Sequence, residues 1–149
     1  LDLLVNDVCL TVASGGHPLP LLLRSDRTTA EIGVPGLLLG ADADPTLVDA
    51  TLELHPGDCV LMYTDGLTDA YAPARALAPA DLRARLESCV GLSAEAIAEH
   101  IYRSVLDQDT TEPRDDIALV VLRVGRIDAS AVDIGPAASA ASPTLGSVA

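Results

Sequence analysis

Apolar residues fall along the chain in short runs of two kinds. Residues 8–13 (Val8-Cys9-Leu10-Thr11-Val12-Ala13) and 19–23 are strand-like, and the turn formers Ser14-Gly15-Gly16-His17-Pro18 between them predict a hairpin. Residues 33–40 read as a glycine-punctuated loop that lacks the Lys-Ser/Thr ending of a phosphate-binding P-loop. Residues 46–54 alternate, with Leu47, Asp49, Thr51 and Glu53 opposite Val48, Ala50, Leu52 and Leu54, which predicts a strand with one wet face. A turn at His55-Pro56-Gly57-Asp58 leads into Cys59-Val60-Leu61-Met62-Tyr63, apolar at every position as in a strand covered on both faces. That run stops at Thr64-Asp65-Gly66.

Two helices are predicted next. Pro79 suits a first helical position, and Leu82, Leu86 and Cys89 recur at helical spacing. Ser93 is a good N-cap, with Leu92 and Ile97 placed to staple across it, and Ile97, Ile101 and Val105 form one apolar stripe. Residues 117–124 form a second continuous apolar strand. From 125 to 149 the chain is Ala, Ser, Pro and Gly with little to bury, which predicts a disordered tail. Strands, two helices and a closing strand together predict a layered α+β domain with a mostly antiparallel sheet over residues 1–124.

Composition narrows the function. The 149 residues carry a formal net charge of −13, and all nine basic residues are arginine. Nucleic-acid binding rests on neutralising phosphates, so this balance argues against DNA or RNA as a partner. No apolar run approaches the roughly 20 residues needed to span a bilayer. Cys9, Cys59 and Cys89 are far apart and odd in number, which predicts reduced, buried thiols in a cytoplasmic protein and gives zinc no clustered ligands. The chain starts at Leu1, which suggests a cut and a missing N-terminal portion.

The chemistry is expected where two strand ends meet. If the strands at 59–63 and 117–124 are antiparallel neighbours, Asp65, after the first, and Asp115, before the second, converge at one sheet edge. Two carboxylates held close repel unless a proton or cation intervenes, and oxygen-only ligands suit Mg²⁺ or Mn²⁺. Gly66 permits a tight turn there. The same residues also read as an ordinary Asp-Gly turn and a solvated loop aspartate. Spacing alone leaves both readings open.

Three segments, in order, carry a resemblance. Ala13-Ser14-Gly15-Gly16-His17-Pro18-Leu19-Pro20-Leu21-Leu22, Tyr63-Thr64-Asp65-Gly66-Leu67-Thr68-Asp69-Ala70 and Arg114-Asp115-Asp116-Ile117-Ala118-Leu119-Val120-Val121 resemble motifs of the SpoIIE/RsbU-like branch of the PPM phosphatases. Asp69 stands where that branch usually has Glu. The resemblance implies part of an α-β-β-α sandwich and a metal-dependent serine/threonine phosphatase with a two-metal Mn²⁺ or Mg²⁺ centre. It implies that Asp65 and Asp115 are metal ligands and that Thr64, Gly66 and Asp116 shape the same edge, while His17 reads as shaping its turn, with general acid or phosphate contact as its other role. Arg114 reads as a solvated loop residue, with a phosphate contact as its other possible role. The implied partner is a phosphorylated regulatory protein of the anti-anti-sigma-factor type, and an upstream sensor domain is common in that branch. The branch's first metal-binding segment, an Asp-Gly pair on an earlier strand, has no counterpart here, because Asp2, Asp7 and Asp26 lack the following glycine. A non-catalytic interaction module that keeps the sandwich is therefore the competing reading.

Overall fold

The computed structural model describes residues 2–4, 8–73, 75–106 and 113–125. Seven strands and three helices follow in the order β1 (Asp2–Leu4), β2 (Val8–Val12), β3 (Leu21–Leu23), β4 (Thr29–Glu31), β5 (Ala50–Leu54), β6 (Cys59–Tyr63), α1 (Asp65–Asp69), α2 (Pro79–Glu87), α3 (Ala94–Leu106) and β7 (Leu119–Gly125). Five strands form one sheet in the order β1-β7-β6-β3-β4, and β2 and β5 form a second. Every pairing is antiparallel except that of β1 with β7. The α+β, mostly antiparallel expectation holds.

The layers follow from side-chain alternation. On the inner strands β3 and β6, Leu21, Leu23, Cys59 and Leu61 face the helices. There they are buried with Leu67, Leu82, Leu86, Cys89, Ile97, Ile101 and Val121. Leu22, Val60 and Val124 turn the other way and are buried with Ile32 and Leu54 against the two-stranded sheet. A strand covered on both faces has to be apolar at every position, as β6 is. The outer face of β2 and β5 (Cys9, Thr11, Thr51 and Glu53) is exposed, and the Thr11 and Thr51 hydroxyls bond each other at 3.0 Å across it. The described residues thus build a helix layer and two sheet layers, an α-β-β portion of the implied sandwich.

The helices form as their sequences specify. Pro79 opens α2, where a missing N–H costs nothing. The Ser93 hydroxyl accepts the Ala96 N–H at 3.2 Å, capping α3. Leu92, just before the cap, is 39% exposed.

Several expectations are corrected. The runs at 8–13 and 19–23 do not form a hairpin, because β2 pairs with β5 while β3 pairs with β4 and β6. The turn cluster at 14–18 carries the chain from one sheet to the other. The alternating strand begins at Ala50 rather than at 46, because its partner ends at Val12, opposite Ala50. The last strand begins at Leu119, opposite Tyr63. It continues through Gly125, one residue into the span assigned to the tail, and 126–149 lie outside the described residues. Cys59 and Cys89 are buried thiols as expected, neither in a disulfide, but Cys9 is exposed on the outward side of β2.

Candidate functional site

The pairing that the site requires is present. β6 and β7 are antiparallel neighbours with Tyr63 opposite Leu119, so the residues after β6 meet those before β7. Thr64 joins the two segments. Its backbone N–H donates to the Ala118 carbonyl at 3.0 Å, extending the ladder by one bond. Its hydroxyl donates to the Asp116 carbonyl at 3.0 Å and accepts the Ala118 N–H at 3.0 Å. One side chain thereby satisfies both polar directions of the opposite strand entry, which water would otherwise have to fill.

Asp65 is the first residue of α1, a five-residue helix where the sequence suggested only a turn. Leu67 and Ala70 anchor α1 in the helix-side core. The Thr68 hydroxyl donates back to the Asp65 carbonyl at 3.0 Å. Gly66 is buried, and a Cβ there would lie 2.3 Å from the Asp116 carbonyl oxygen and 3.4 Å from the Asp115 carbonyl carbon. Only a residue without a side chain lets the two backbones come this close.

Asp65, Asp115 and Asp116 are all exposed. The Asp115 carboxylate accepts the Asp116 N–H at 2.8 Å, which fixes its orientation on the loop. Asp65 and Asp115 thus stand on two segments bonded to each other at the open end of the sheet. Among the described residues no group of three or more His, Cys, Asp or Glu side chains is gathered as a metal site requires. Two oxygen donors facing solvent fit part of a coordination sphere for a hard cation, the rest of which water or other carboxylates would have to supply.

His17 is exposed in the turn between β2 and β3, where its carbonyl accepts the buried Ser14 hydroxyl at 3.0 Å. His17 and Thr64 both line a hollow of about 310 Å³ floored by Val12, Pro18, Met62 and Val120. Met62 and Val120 point toward the inter-sheet side, yet they are 36% and 55% exposed because the two-stranded sheet does not reach them. The phenol of Tyr63 is pushed up by burial and by the nearby Glu31 carboxylate, so it stays protonated at neutral pH.

The most heavily bonded carboxylate among the described residues was missed in the sequence. Asp58, read as part of a turn, is 1% exposed at the opposite end of β6. It accepts Arg24 Nη1 at 2.6 Å, the His55 N–H at 2.9 Å and the Ser25 N–H at 3.1 Å. The partner arginine lies 34 positions away, and no local pattern announces it.

Residues 3–125 match the family described as Stage II sporulation protein E (SpoIIE). The phosphoserine phosphatase RsbU of Bacillus subtilis is 31% identical over 114 residues, covering 76% of this chain and 34% of that protein. The phosphatase domain of SpoIIE from Bacillus subtilis (Mn presoaked) has a TM-score of 0.64 at 16% identity, covering 80% of this chain and 52% of that one. The RsbU and RsbW domains of a Mycobacterium tuberculosis protein have a TM-score of 0.63 at 25% identity, covering 76% of this chain and 31% of that one. The chain spans about a third of the RsbU protein and about half of the SpoIIE domain it matches. Sequence match and layer order agree, and the chain belongs to the SpoIIE family, as part of an RsbU- and SpoIIE-like PPM phosphatase domain.

Proposed function

We propose that the protein containing this chain is a metal-dependent serine/threonine phosphatase that hydrolyses phosphoserine or phosphothreonine on a regulatory protein of the anti-anti-sigma-factor type. The observation that carries this reading is the bonded junction of the β6 end with the β7 start, which sets Asp65 and Asp115 on adjoining segments. Their exposed carboxylates are the oxygen ligands offered to Mn²⁺ or Mg²⁺, and Thr64, Gly66 and Asp116 hold the edge on which they stand. A divalent cation bound there supplies positive charge for the phosphoryl oxygens and lowers the pKa of its water. Asp65 and Asp115 keep that charge in place, while His17 shapes its turn. Water and other carboxylates complete the coordination sphere. The setting is cytoplasmic, and no helix among the described residues is long and apolar enough to cross a membrane.

A second reading is an interaction module that keeps the sandwich without the chemistry, since Asp2, Asp7 and Asp26 lack the following glycine of the branch's first metal-binding pair. One experiment separates the two. The complete protein is assayed on a phosphoserine peptide with Mn²⁺, beside its Asp65→Asn and Asp115→Asn variants, with Mn²⁺ binding followed by electron paramagnetic resonance. Turnover that both substitutions remove, with weaker Mn²⁺ binding, supports the phosphatase. Folded variants with wild-type turnover end the site assignment, and a wild-type protein without turnover leaves the module.

A further inference from the structure

Arg114 directly precedes Asp115, and by sequence it is a solvated cation or a phosphate contact. The structure gives it another task. Its backbone N–H donates to the Ala70 carbonyl at 3.0 Å, and its guanidinium Nη1 donates to the Ala72 carbonyl at 2.5 Å. Both acceptors lie just past the end of α1, the helix that begins with Asp65.

The last carbonyls of a helix have no partner within it, and a cation beside them is favoured by the helix dipole. α1 has no basic residue in its own last turn, and Arg114 supplies one from 42 positions away in the sequence. At the other end of α1, Thr64 is bonded to Asp116 and Ala118. The segment carrying Asp65 is therefore tied to the segment carrying Asp115 at both of its ends. A five-residue helix cannot hold its own position, since so short a helix is unstable without outside contacts.

We propose that Arg114 is a positioning residue, a clamp that sets the spacing of the Asp65 and Asp115 carboxylates without touching cation or phosphate. The clamp rests on the phosphatase reading above and adds to it a residue acting through backbone carbonyls. Removing the guanidinium loses the bond to Ala72 and loosens the segment that leaves α1, while Thr64, Leu67 and Ala70 still hold the helix itself. The carboxylates then lose their fixed separation, and small misplacements cost catalysis far more than they cost folding.

The test uses the complete protein with Arg114→Met, which keeps an apolar stem without donors, and Arg114→Lys, which keeps one donor and the charge. Amide exchange in Arg114→Met is expected to quicken at 65–72 and 113–118 and to stay unchanged at 59–63 and 119–125. Its kcat should fall on the order of ten- to a hundredfold. The Mn²⁺ concentration for half-maximal rate should rise, KM for the phosphopeptide should hold, and Arg114→Lys should fall between this variant and wild type. A raised KM with kcat intact would make Arg114 a phosphate contact, and unchanged exchange and kcat would make it a solvated arginine; either result overturns the clamp. If Arg114→Met does not fold, Arg114→Lys decides, because wild-type exchange and kcat in that variant also overturn it. Wild-type turnover in Asp65→Asn and Asp115→Asn would instead sink the phosphatase reading, and the exchange pattern would still test the clamp by itself.

Discussion

The two ends of β6 use aspartate in opposite ways. Asp58, just before the strand, is buried, and its carboxylate is satisfied by Arg24 and two backbone N–H groups. The backbone there is closed as well, with the Val124 N–H donating to the Asp58 carbonyl at 2.9 Å and the Gly57 N–H donating to the Val124 carbonyl at 2.7 Å. Asp65, just after the strand, is exposed, and neutral hydrogen bonds through Thr64 hold its junction with β7. A buried charge persists only when paired and fully bonded, so Asp58 belongs to the fold. An exposed carboxylate costs little to maintain and remains available to a ligand. Burial and partners, rather than residue type, separate the aspartate that holds the fold together from the one left open to a ligand.

If that contrast is right, substitutions at the two ends should damage different properties. The largest effect is expected from Asp58→Ala, which leaves Arg24 and two N–H groups without their acceptor. Breaking such a pair should cost about 3 kcal/mol, read as a shifted urea midpoint, while the folded protein keeps its turnover. Arg24→Ala should cost a comparable amount, because it leaves the buried Asp58 carboxylate with two backbone N–H groups and no cation. A small shift for Asp58→Ala, or a loss of turnover without one, would erase the contrast.

At the other end, Asp65→Asn and Asp115→Asn in the complete protein should each lower kcat on the order of a hundredfold, worth about 2.7 kcal/mol. Their melting temperatures should stay near wild type, so thermal melts run beside the kinetics give the comparison directly. The glycines divide in the same way. Gly66→Ala places a methyl 2.3 Å from the Asp116 oxygen and should lower kcat by about tenfold as the two segments part. Gly57→Ala puts a side chain on backbone at φ +101° and should cost about 1–2 kcal/mol of stability with turnover intact.

The smallest effect concerns the thiols. Burial pushes the Cys89 thiol up, with the Ser88 hydrogen bond opposing in part. The folded chain therefore favours the protonated form, and that contribution is present below the ordinary thiol pKa and lost as pH rises through the raised value. Alkylation at pH 8 should label exposed Cys9 first and Cys89 only on unfolding, with mass spectrometry to assign the sites. Early labelling of Cys89 would mean that the helix-side core opens readily.

How much could be read from sequence depended on how local each cause was. β6 was visible because every position is apolar, β7 because its run is apolar apart from Arg123, and α2 and α3 because Pro79 and Ser93 mark their starts. That the segments carrying Asp65 and Asp115 adjoin followed from the pairing of the two strands alone. β1 and β4 have three residues each, too few to show a period, and α1 is a single turn of helix opened by a turn-like Asp-Gly. The mistaken hairpin is instructive because the residues held a warning. β2 alternates, with Val8, Leu10 and Val12 inward and Cys9 and Thr11 outward, whereas Leu21–Leu23 is buried throughout. A one-faced edge strand and a two-faced inner strand are poor candidates for direct partners. The Asp58 pair and the Arg114 clamp join residues 34 and 42 positions apart, and only the folded chain reveals them.

The strand order also bears on how the chain reaches this state. β7 comes last among the described strands, yet it lies inside the five-stranded sheet, between β1 and β6. Until Leu119–Gly125 has left the ribosome, β1 lacks the one partner it has among the described strands, and β6 presents an open edge of unpaired N–H and C=O groups. β6 and β7 are also separated by the whole helical segment, so their pairing is slow to form compared with the local turns of α2 and α3. A nascent chain halted before residue 119 should therefore hold formed helices beside an unfinished sheet, a species prone to pairing with another chain through that edge.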